Sequence, residues 1–469
     1  MKILFVQAPQ YMDKRFYTKK VHKRYSEGGI IAPPLGMAYM ASIMRKHGYD
    51  VGIIDGHAMK YDINELIEKI RQENPDVLMF GVVTPAFITV VEWLKAIKQH
   101  FPNVPMILGG HHTTIFPRET LTHKVIDYII VGEAWHTLPE LMDSLKNKGD
   151  LSNIKGIGFR NGEEIIITPP RERIKSWDGI PFPARDLLPN FKYTSTISKR
   201  KPVTSIMTAQ GCPFKCTYCA AERFVVFRDP IEVADEVEEC VNKYGIQEIL
   251  FYDETFTVNQ ARAMKICEEI IRRGINKKIV FAIRTRADCV TKELIDKIAE
   301  AGCIRINFGI ETADEEALKK MKRYLPKEKI KQAVKWAQDA GIDVLGFFML
   351  GVPGETVENI KNTINFAKEL NLDYVLFTKL TISPNTELFD EVQQENGIDY
   401  WRKFTLGEEV VESEVRLPSC SVSPEDLDKW LGKAYRQFYF RPAYVMHRIM
   451  KLNSFGEFKE LFKSALSII

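Results

Sequence analysis

The chain has 469 residues, 45% hydrophobic and 27% charged, with a net charge of +3. That length suits two or three compact units, and so small a charge excess makes no global case for nucleic acid. Eight cysteines without a secretory leader argue against a disulfide framework and for a reducing cytoplasm, and no apolar run approaches the roughly 18 residues of a membrane span.

In chain order, the sequence predicts strands at Lys2–Val6, Val51–Asp55, Val77–Val83, Met106–Leu108 and Ile126–Val131, with helices such as Leu35–Lys46 and Ile63–Gln72 between them. Alternation at this pitch implies an α/β fold, a Rossmann-like, doubly wound parallel sheet over residues 1–148. Sheets of this kind bind ligands in the crevice beyond the carboxyl ends of their strands. Residues 149–200 change character. Arg160-Asn161-Gly162 followed by Ile165-Ile166-Ile167 reads as a hairpin, and Pro169-Pro170 and Ile180-Pro181-Phe182-Pro183 break any helix. The segment reads as a linker lying on both neighbours.

A second alternation covers residues 201–384. Its strands are expected at Thr204–Ala209, Glu248–Asp253, Ile279–Arg284, Cys303–Ile310, Val344–Leu350 and Tyr374–Thr381. Helices are expected at Glu232–Lys243, Gln260–Arg273, Lys292–Ala301, Lys327–Ala340 and Val357–Leu370. Six such units suggest a partial (β/α)6 barrel of the TIM type with its active site at the strands' carboxyl ends. Residues 385–469 read as a helical, aromatic-rich cap, with Tyr435, Phe438, Tyr439, Phe440, Tyr444 and Met446 in one stretch. The alternative for that tail is a basic amphipathic element meeting a membrane surface or an apolar substrate.

Directly after the first barrel strand comes Gly211-Cys212-Pro213-Phe214-Lys215-Cys216-Thr217-Tyr218-Cys219, a C-x₃-C-x₂-C run. Three thiolates so close hold three corners of a four-iron cubane and leave the fourth iron open as a reaction site. Zinc normally wants four ligands, and the next cysteine, Cys240, is too far on for a compact knuckle, with no histidine between Cys212 and Cys240.

On these features the chain resembles the radical S-adenosylmethionine (SAM) superfamily, in the branch with an N-terminal cobalamin-binding domain, over nearly its whole length. The resemblance implies that Cys212, Cys216 and Cys219 ligate a 4Fe–4S cluster whose open iron is chelated by SAM. It implies reductive cleavage of SAM to a 5′-deoxyadenosyl radical, which abstracts hydrogen from an unactivated carbon, with flavodoxin or ferredoxin as electron donor. Phe214 and Tyr218 look like the aromatic shield beside cluster and adenine. Asp253 and Glu254 are candidate acceptors for the SAM ammonium, their rival reading being a helix N-cap with acidic first-turn neighbours. Arg284 and Arg286 are candidates for the SAM carboxylate. Glu311 is a candidate for SAM or for an ion pair with one of those arginines. Met349 and Gly351, the latter opening Gly351-Val352-Pro353-Gly354-Glu355-Thr356, are candidates for the adenine side.

The first 148 residues are similar to the cobalamin module at Pro33-Pro34-Leu35-Gly36, Asp55, Gly109-Gly110 and Gly132-Glu133. Thr84, Gly109, Gly110, Gly132 and Glu133 are the expected contacts to the corrin and its nucleotide tail; the alternative is ordinary loops of an empty Rossmann-like domain. Asp55-Gly56-His57 departs from the Asp-x-His-x-x-Gly cobalt-binding motif, with Lys60 in place of glycine and its position after the second strand rather than the first. His57 is therefore not expected to ligate cobalt, and His111 and His112 read as loop polar residues. The basic loop with Lys14, Arg15, Lys19, Lys20, His22, Lys23 and Arg24 reads as a solvated run or as a contact for an anionic substrate group.

The resemblance implies a small-molecule or lipid- or tetrapyrrole-like substrate and methyl transfer from cobalamin. The alternative is radical ring formation or C–C coupling, because Phe440-Arg441-Pro442-x-Tyr444 looks like the tetrapyrrole-cyclase and hopanoid-associated members. The tRNA methylthiotransferases need three N-terminal cysteines, and none precedes Cys212. A non-catalytic cobalamin or iron–sulfur sensor is the remaining reading.

Overall fold

A computed structural model of the protein describes residues 1–9, 31–397, 399–409 and 420–450. The basic loop lies outside the described residues, as does the tail beyond residue 450.

Strands β1 (Lys2–Gln7), β2 (Asp50–Asp55), β3 (Val77–Gly81), β4 (Met106–Gly109) and β5 (Tyr128–Ile130) are parallel. They run in the order β2-β1-β3-β4-β5 within a seven-stranded sheet. The strand interiors are apolar because helices cover both faces. Leu4, Leu78 and Leu108 pack on one side with Leu66 and Leu94; Ile3, Met79 and Ile107 pack on the other with Met44 and Leu141. This period of two assigns helices Ile63–Glu73 and Phe87–His100 to one face and Leu35–Lys46 and Ala134–Asn147 to the other.

The hairpin, β6 (Ile157–Asn161) and β7 (Glu164–Ile167), does not bridge the two halves. It adds antiparallel to β5 and extends the first sheet, because β5's otherwise free edge offers backbone partners. The strap after it joins the halves through a buried ion network. Arg185, within the strap, donates to Thr204 Oγ1 at 2.5 Å, to the Ser205 carbonyl at 2.7 Å and to Glu236 at 2.6 Å. Arg228 meets the same carboxylate at 2.5 Å, and reaches Tyr39 of the first sheet's Leu35–Lys46 helix at 3.3 Å.

The second sheet contains β8 (Val203–Ile206), β11 (Glu248–Phe251), β12 (Val280–Thr285), β13 (Cys303–Glu311), β14 (Asp343–Leu350) and β15 (Tyr374–Lys379). All neighbours are parallel and sequential, from β8 to β15, and those two edges do not pair with each other. It is a partial barrel. The first strand stops at Ile206 rather than Ala209. The amides of Thr208 and Ala209 turn out of the ladder to donate to Asp253 at 2.6 and 3.2 Å. The chain then forms a two-stranded ribbon, β9 (Ala209–Gln210) with β10 (Val226–Phe227), and the cysteine loop lies between its strands.

The tail divides. Leu388, Phe389, Val392, Tyr400, Trp401 and Phe404, from helices Glu387–Asn396 and Tyr400–Leu406, join the core of the first sheet. Helix Pro424–Tyr439 instead covers the barrel's open edge. The Tyr439 hydroxyl accepts from the Val375 amide (3.0 Å) and donates to its carbonyl (2.9 Å), and Tyr435 does the same at Phe377 (3.2 and 2.9 Å). Tyr444 donates to the Asp373 carbonyl at 2.8 Å. Tyrosine hydroxyls act both as donor and acceptor, so they satisfy the outer side of an edge strand that pairs only with β14. The aromatic run thus serves the barrel edge. Among the described residues no helix is long and apolar enough to cross a membrane.

Candidate functional site

The cysteine loop is shaped by its own backbone. Gly211 takes φ +89°, and a Cβ there would stand 1.8 Å from the Phe224 carbonyl oxygen, so no other residue fits. The Cys212 amide donates to the Glu222 backbone carbonyl at 2.7 Å. Arg223 gathers the loop from outside, donating to the carbonyls of Phe214, Cys216 and Cys219 at 2.7, 2.9 and 2.6 Å. Cys212 and Cys216 are buried and Cys219 is half-buried.

Each sulfur has a different neighbour. Thr255 Oγ1 lies 3.8 Å from Cys212 Sγ, and the Ala221 amide donates to Cys219 Sγ at 3.4 Å. Arg286 and Arg323 approach Cys216 Sγ at 3.9 and 3.8 Å. Burial pushes the Cys219 thiol up, and the nearby Cys216 and Cys212 push it further, so the three sulfurs share one local field. Among the described residues no three thiol, imidazole or carboxylate groups close into a cage for a single ion. Three thiols with cationic and N–H donors at their backs fit a cluster of negative charge.

Phe214 and Tyr218 are both committed by cations. The Arg286 guanidinium lies 3.9 Å over the Phe214 ring, and Arg323 donates to the Tyr218 hydroxyl at 3.1 Å. Burial, with the Glu311 carboxylate nearby, holds the Tyr218 phenol well above its usual range.

The strand-end candidates separate into engaged and open groups. Asp253 is buried, and its carboxylate accepts from the amides of Thr208 and Ala209 and from the Thr208 hydroxyl. Its carboxylate turns the chain into the cysteine loop, and it caps no helix, the next helix being capped by Asn259. Glu254, next to it, is exposed. Arg286 is also engaged, bidentate to Asp288 at 2.9 and 2.8 Å and donating to the Arg323 carbonyl at 3.0 Å. Arg284 is half-buried, its guanidinium 4.0 Å over the Tyr252 ring. Glu311 pairs with Arg323 at 3.3 Å, an arginine that the strand pattern does not single out, rather than with Arg284 or Arg286. Met349 and Gly351 are buried at the end of β14, where the Gly351 amide donates to the Glu355 carboxylate.

At the carboxyl edge of the first sheet, Gly109, Gly110 and Gly132 leave the strand ends bare. Gly110, at φ +113°, sits where a Cβ would meet the Val82 carbonyl at 2.8 Å; around Gly132, at φ +84°, the space is open. The open backbone at Gly132 leaves room for a broad corrin ring, whereas Gly110 is packed against the Val82 backbone. Thr84 is not available to its tail. It is buried with its hydroxyl 3.2 Å from His112 Nδ1, and His112 is a core residue stacked on Phe87 at 3.9 Å. Burial drives the His112 pKa down to about 3, so it stays neutral. Glu133 is likewise engaged, accepting from the Ile174 amide at 2.8 Å and from Gln210 Nε2 at 3.0 Å. His57 sits in the short helix Gly56–Met59, whose N-cap Asp55 accepts from the Ala58 amide and from the Tyr193 hydroxyl.

Sequence reasoning missed Arg223, Arg323 and Gln210. Arg223 had a signal, as a cation four residues beyond the last cysteine. The other two act only through distant partners.

Comparison with known proteins gives two family matches: the radical SAM superfamily over residues 206–367 and the B12 binding domain over residues 26–142. An uncharacterized methyltransferase of Pyrococcus horikoshii is 33% identical over 97% of this chain and 96% of its own length. The anaerobic magnesium-protoporphyrin IX monomethyl ester cyclase of Cereibacter sphaeroides is 29% identical over 90% of this chain and 70% of its own. The solved structure of the cobalamin-dependent SAM radical enzyme OxsB, with aqua-cobalamin and SAM bound, superposes with a TM-score of 0.73 at 19% identity, over 98% of this chain and 70% of that one.

Proposed function

Because the chain belongs to the radical SAM superfamily, in the branch carrying a B12 binding domain, we propose that this enzyme methylates an unactivated carbon of a largely apolar small molecule. When bound, the cluster and SAM supply a 5′-deoxyadenosyl radical and cobalamin supplies the methyl group. Cys212, Cys216 and Cys219 hold the cluster. Arg284 takes the SAM carboxylate and Glu254 its ammonium, while Phe214 and Tyr218 screen the cluster from water. Gly351 and Met349 border the adenine. Gly109, Gly110 and Gly132 receive the corrin face. Glu311, Thr84, Glu133, Asp253 and Arg286 act from behind, by placing other groups.

The observation that carries the reading is the Glu133–Gln210 hydrogen bond of 3.0 Å. It ties the loop after β5 to the residue just before Gly211-Cys212, which supports two cofactors facing one junction, as a radical acceptor and a methyl donor require. Val83 and Tyr252, exposed after β3 and β11, support an apolar substrate, of lipid or tetrapyrrole type. Flavodoxin or ferredoxin is the proposed electron donor, and the cytoplasm the proposed location.

Ring formation without methyl transfer is the second reading, favoured by the 29% identity to the cyclase. Anaerobic turnover separates the two. Methylation consumes two SAM per product, giving equal amounts of 5′-deoxyadenosine and S-adenosylhomocysteine; formation of 5′-deoxyadenosine and product with no S-adenosylhomocysteine overturns methyl transfer.

A further inference from the structure

The surroundings of Cys216 differ in kind from those of the other two thiols. Cys212 has a hydroxyl nearby and Cys219 an amide; Cys216 has two guanidinium groups, at 3.9 and 3.8 Å, both buried. Two like charges converging on one buried sulfur repel one another and lose hydration. The fold has to hold them there.

It does so with separate sets of anchors. Arg286 is held by Asp288, by the Arg323 carbonyl and by the Phe214 ring. Arg323 is held by Glu311 at 3.3 Å, by the Tyr218 hydroxyl at 3.1 Å and by the Gly309 carbonyl. The backbone is constrained at the same place: Glu311 has φ +70° and Tyr324 φ +40°, a region that non-glycine residues rarely occupy and that is strained for them. A register shift in the β13–β14 pairing falls between Gly309 and Glu311. Strained backbone at Glu311 and beside Arg323, with the buried Arg323 cation set between the Glu311 carboxylate and a thiol, is an arrangement that simple packing does not call for.

We propose that Arg286 and Arg323 set the reduction potential of the cluster, raising it by stabilising, through the Cys216 corner, the extra negative charge of the one-electron-reduced state. Cluster potentials respond to local charge and to hydrogen bonds at the sulfurs, and Cys216 receives both from these two side chains. Glu311 opposes Arg323, so its carboxylate partly offsets the effect. Both arginines act through Cys216 and are positioning residues. The inference rests on the cluster ligation proposed above.

The test is a potentiometric titration of the full-length, cluster-reconstituted protein without SAM, with the reduced cluster followed by electron paramagnetic resonance. Arg323→Gln and Arg286→Gln are expected to shift the midpoint to more negative potential, and Arg323→Lys to shift it less than Arg323→Gln. Glu311→Gln is expected to shift it the opposite way, because the cation stays and its counter-charge goes. General loosening of the loop would not produce opposite signs. A fully loaded cluster with unchanged midpoints in both arginine variants overturns the inference. If neither arginine variant takes up a cluster, Glu311→Gln decides: an upward shift supports the inference, and no shift or a downward one overturns it. Absence of any cluster in the wild-type protein instead overturns the ligation by Cys212, Cys216 and Cys219.

Discussion

Gln210 donates its side-chain N–H to a Glu133 carboxylate oxygen at 3.0 Å, across 77 residues of sequence. The other Glu133 oxygen accepts from the Ile174 amide of the strap at 2.8 Å. One carboxylate therefore joins the first sheet, the strap and the strand leading into the cysteine loop. Glu133→Ala is expected to keep both cofactors but to lower product formed per 5′-deoxyadenosine several-fold, since small displacements of reacting groups are costly. The ratio of the two products, with the absorbance spectrum, checks this; an unchanged ratio removes the coupling role.

Cys216→Ala should abolish the cluster absorbance while the corrin spectrum is retained. Gly211→Ala should give the same loss by another route, because its new Cβ would occupy the position of the Phe224 carbonyl. A full cluster in Cys216→Ala contradicts the ligand assignment.

Glu236 is the counter-ion of two buried guanidiniums, Arg185 at 2.6 Å and Arg228 at 2.5 Å. Glu236→Ala leaves both charges uncompensated and should cost about 3–5 kcal/mol, seen as a lower urea midpoint by circular dichroism under anaerobic conditions. Isosteric Glu236→Gln should still destabilise, since the charge is what the arginines need. A midpoint unchanged in both variants would mean that the network contributes nothing net.

Glu355 is fully buried, and its Oε1 has no hydrogen-bond partner. Burial pushes its carboxyl up to about 7, against the Gly351 and Val352 amides that pull it down. A raised folded-state value means the native protein holds this proton when the unfolded chain has lost it. Its contribution is thus complete below the ordinary carboxylate range and is lost as pH rises through about 7. Between about pH 5 and pH 8 the wild type should lose stability relative to Glu355→Gln, by on the order of 1–3 kcal/mol. Parallel stability–pH curves for the two proteins would contradict the shift.

Much of the molecule was legible in the chain itself. Helix Leu35–Lys46 begins and ends where its periodicity says it should, and the order of strand and helix implies two parallel sheets. The C-x₃-C-x₂-C spacing stands out in the sequence by itself. These are local features, set by side-chain period and by short loops, and a sequence records them directly. The role of each polar strand-end residue was not legible. Asp253 looked like a SAM contact, yet Thr208, 45 residues earlier, claims it; Thr84 is claimed by His112 and Glu133 by Gln210. Arg323 reaches Cys216 across 107 residues. A carboxylate at a strand end reads the same whether it awaits a ligand or is already hydrogen-bonded, because each bond depends on a partner that only folding brings near. The sequence alone therefore determined which cofactor chemistry the chain supports, and the tertiary structure decided which residues remain free to meet it.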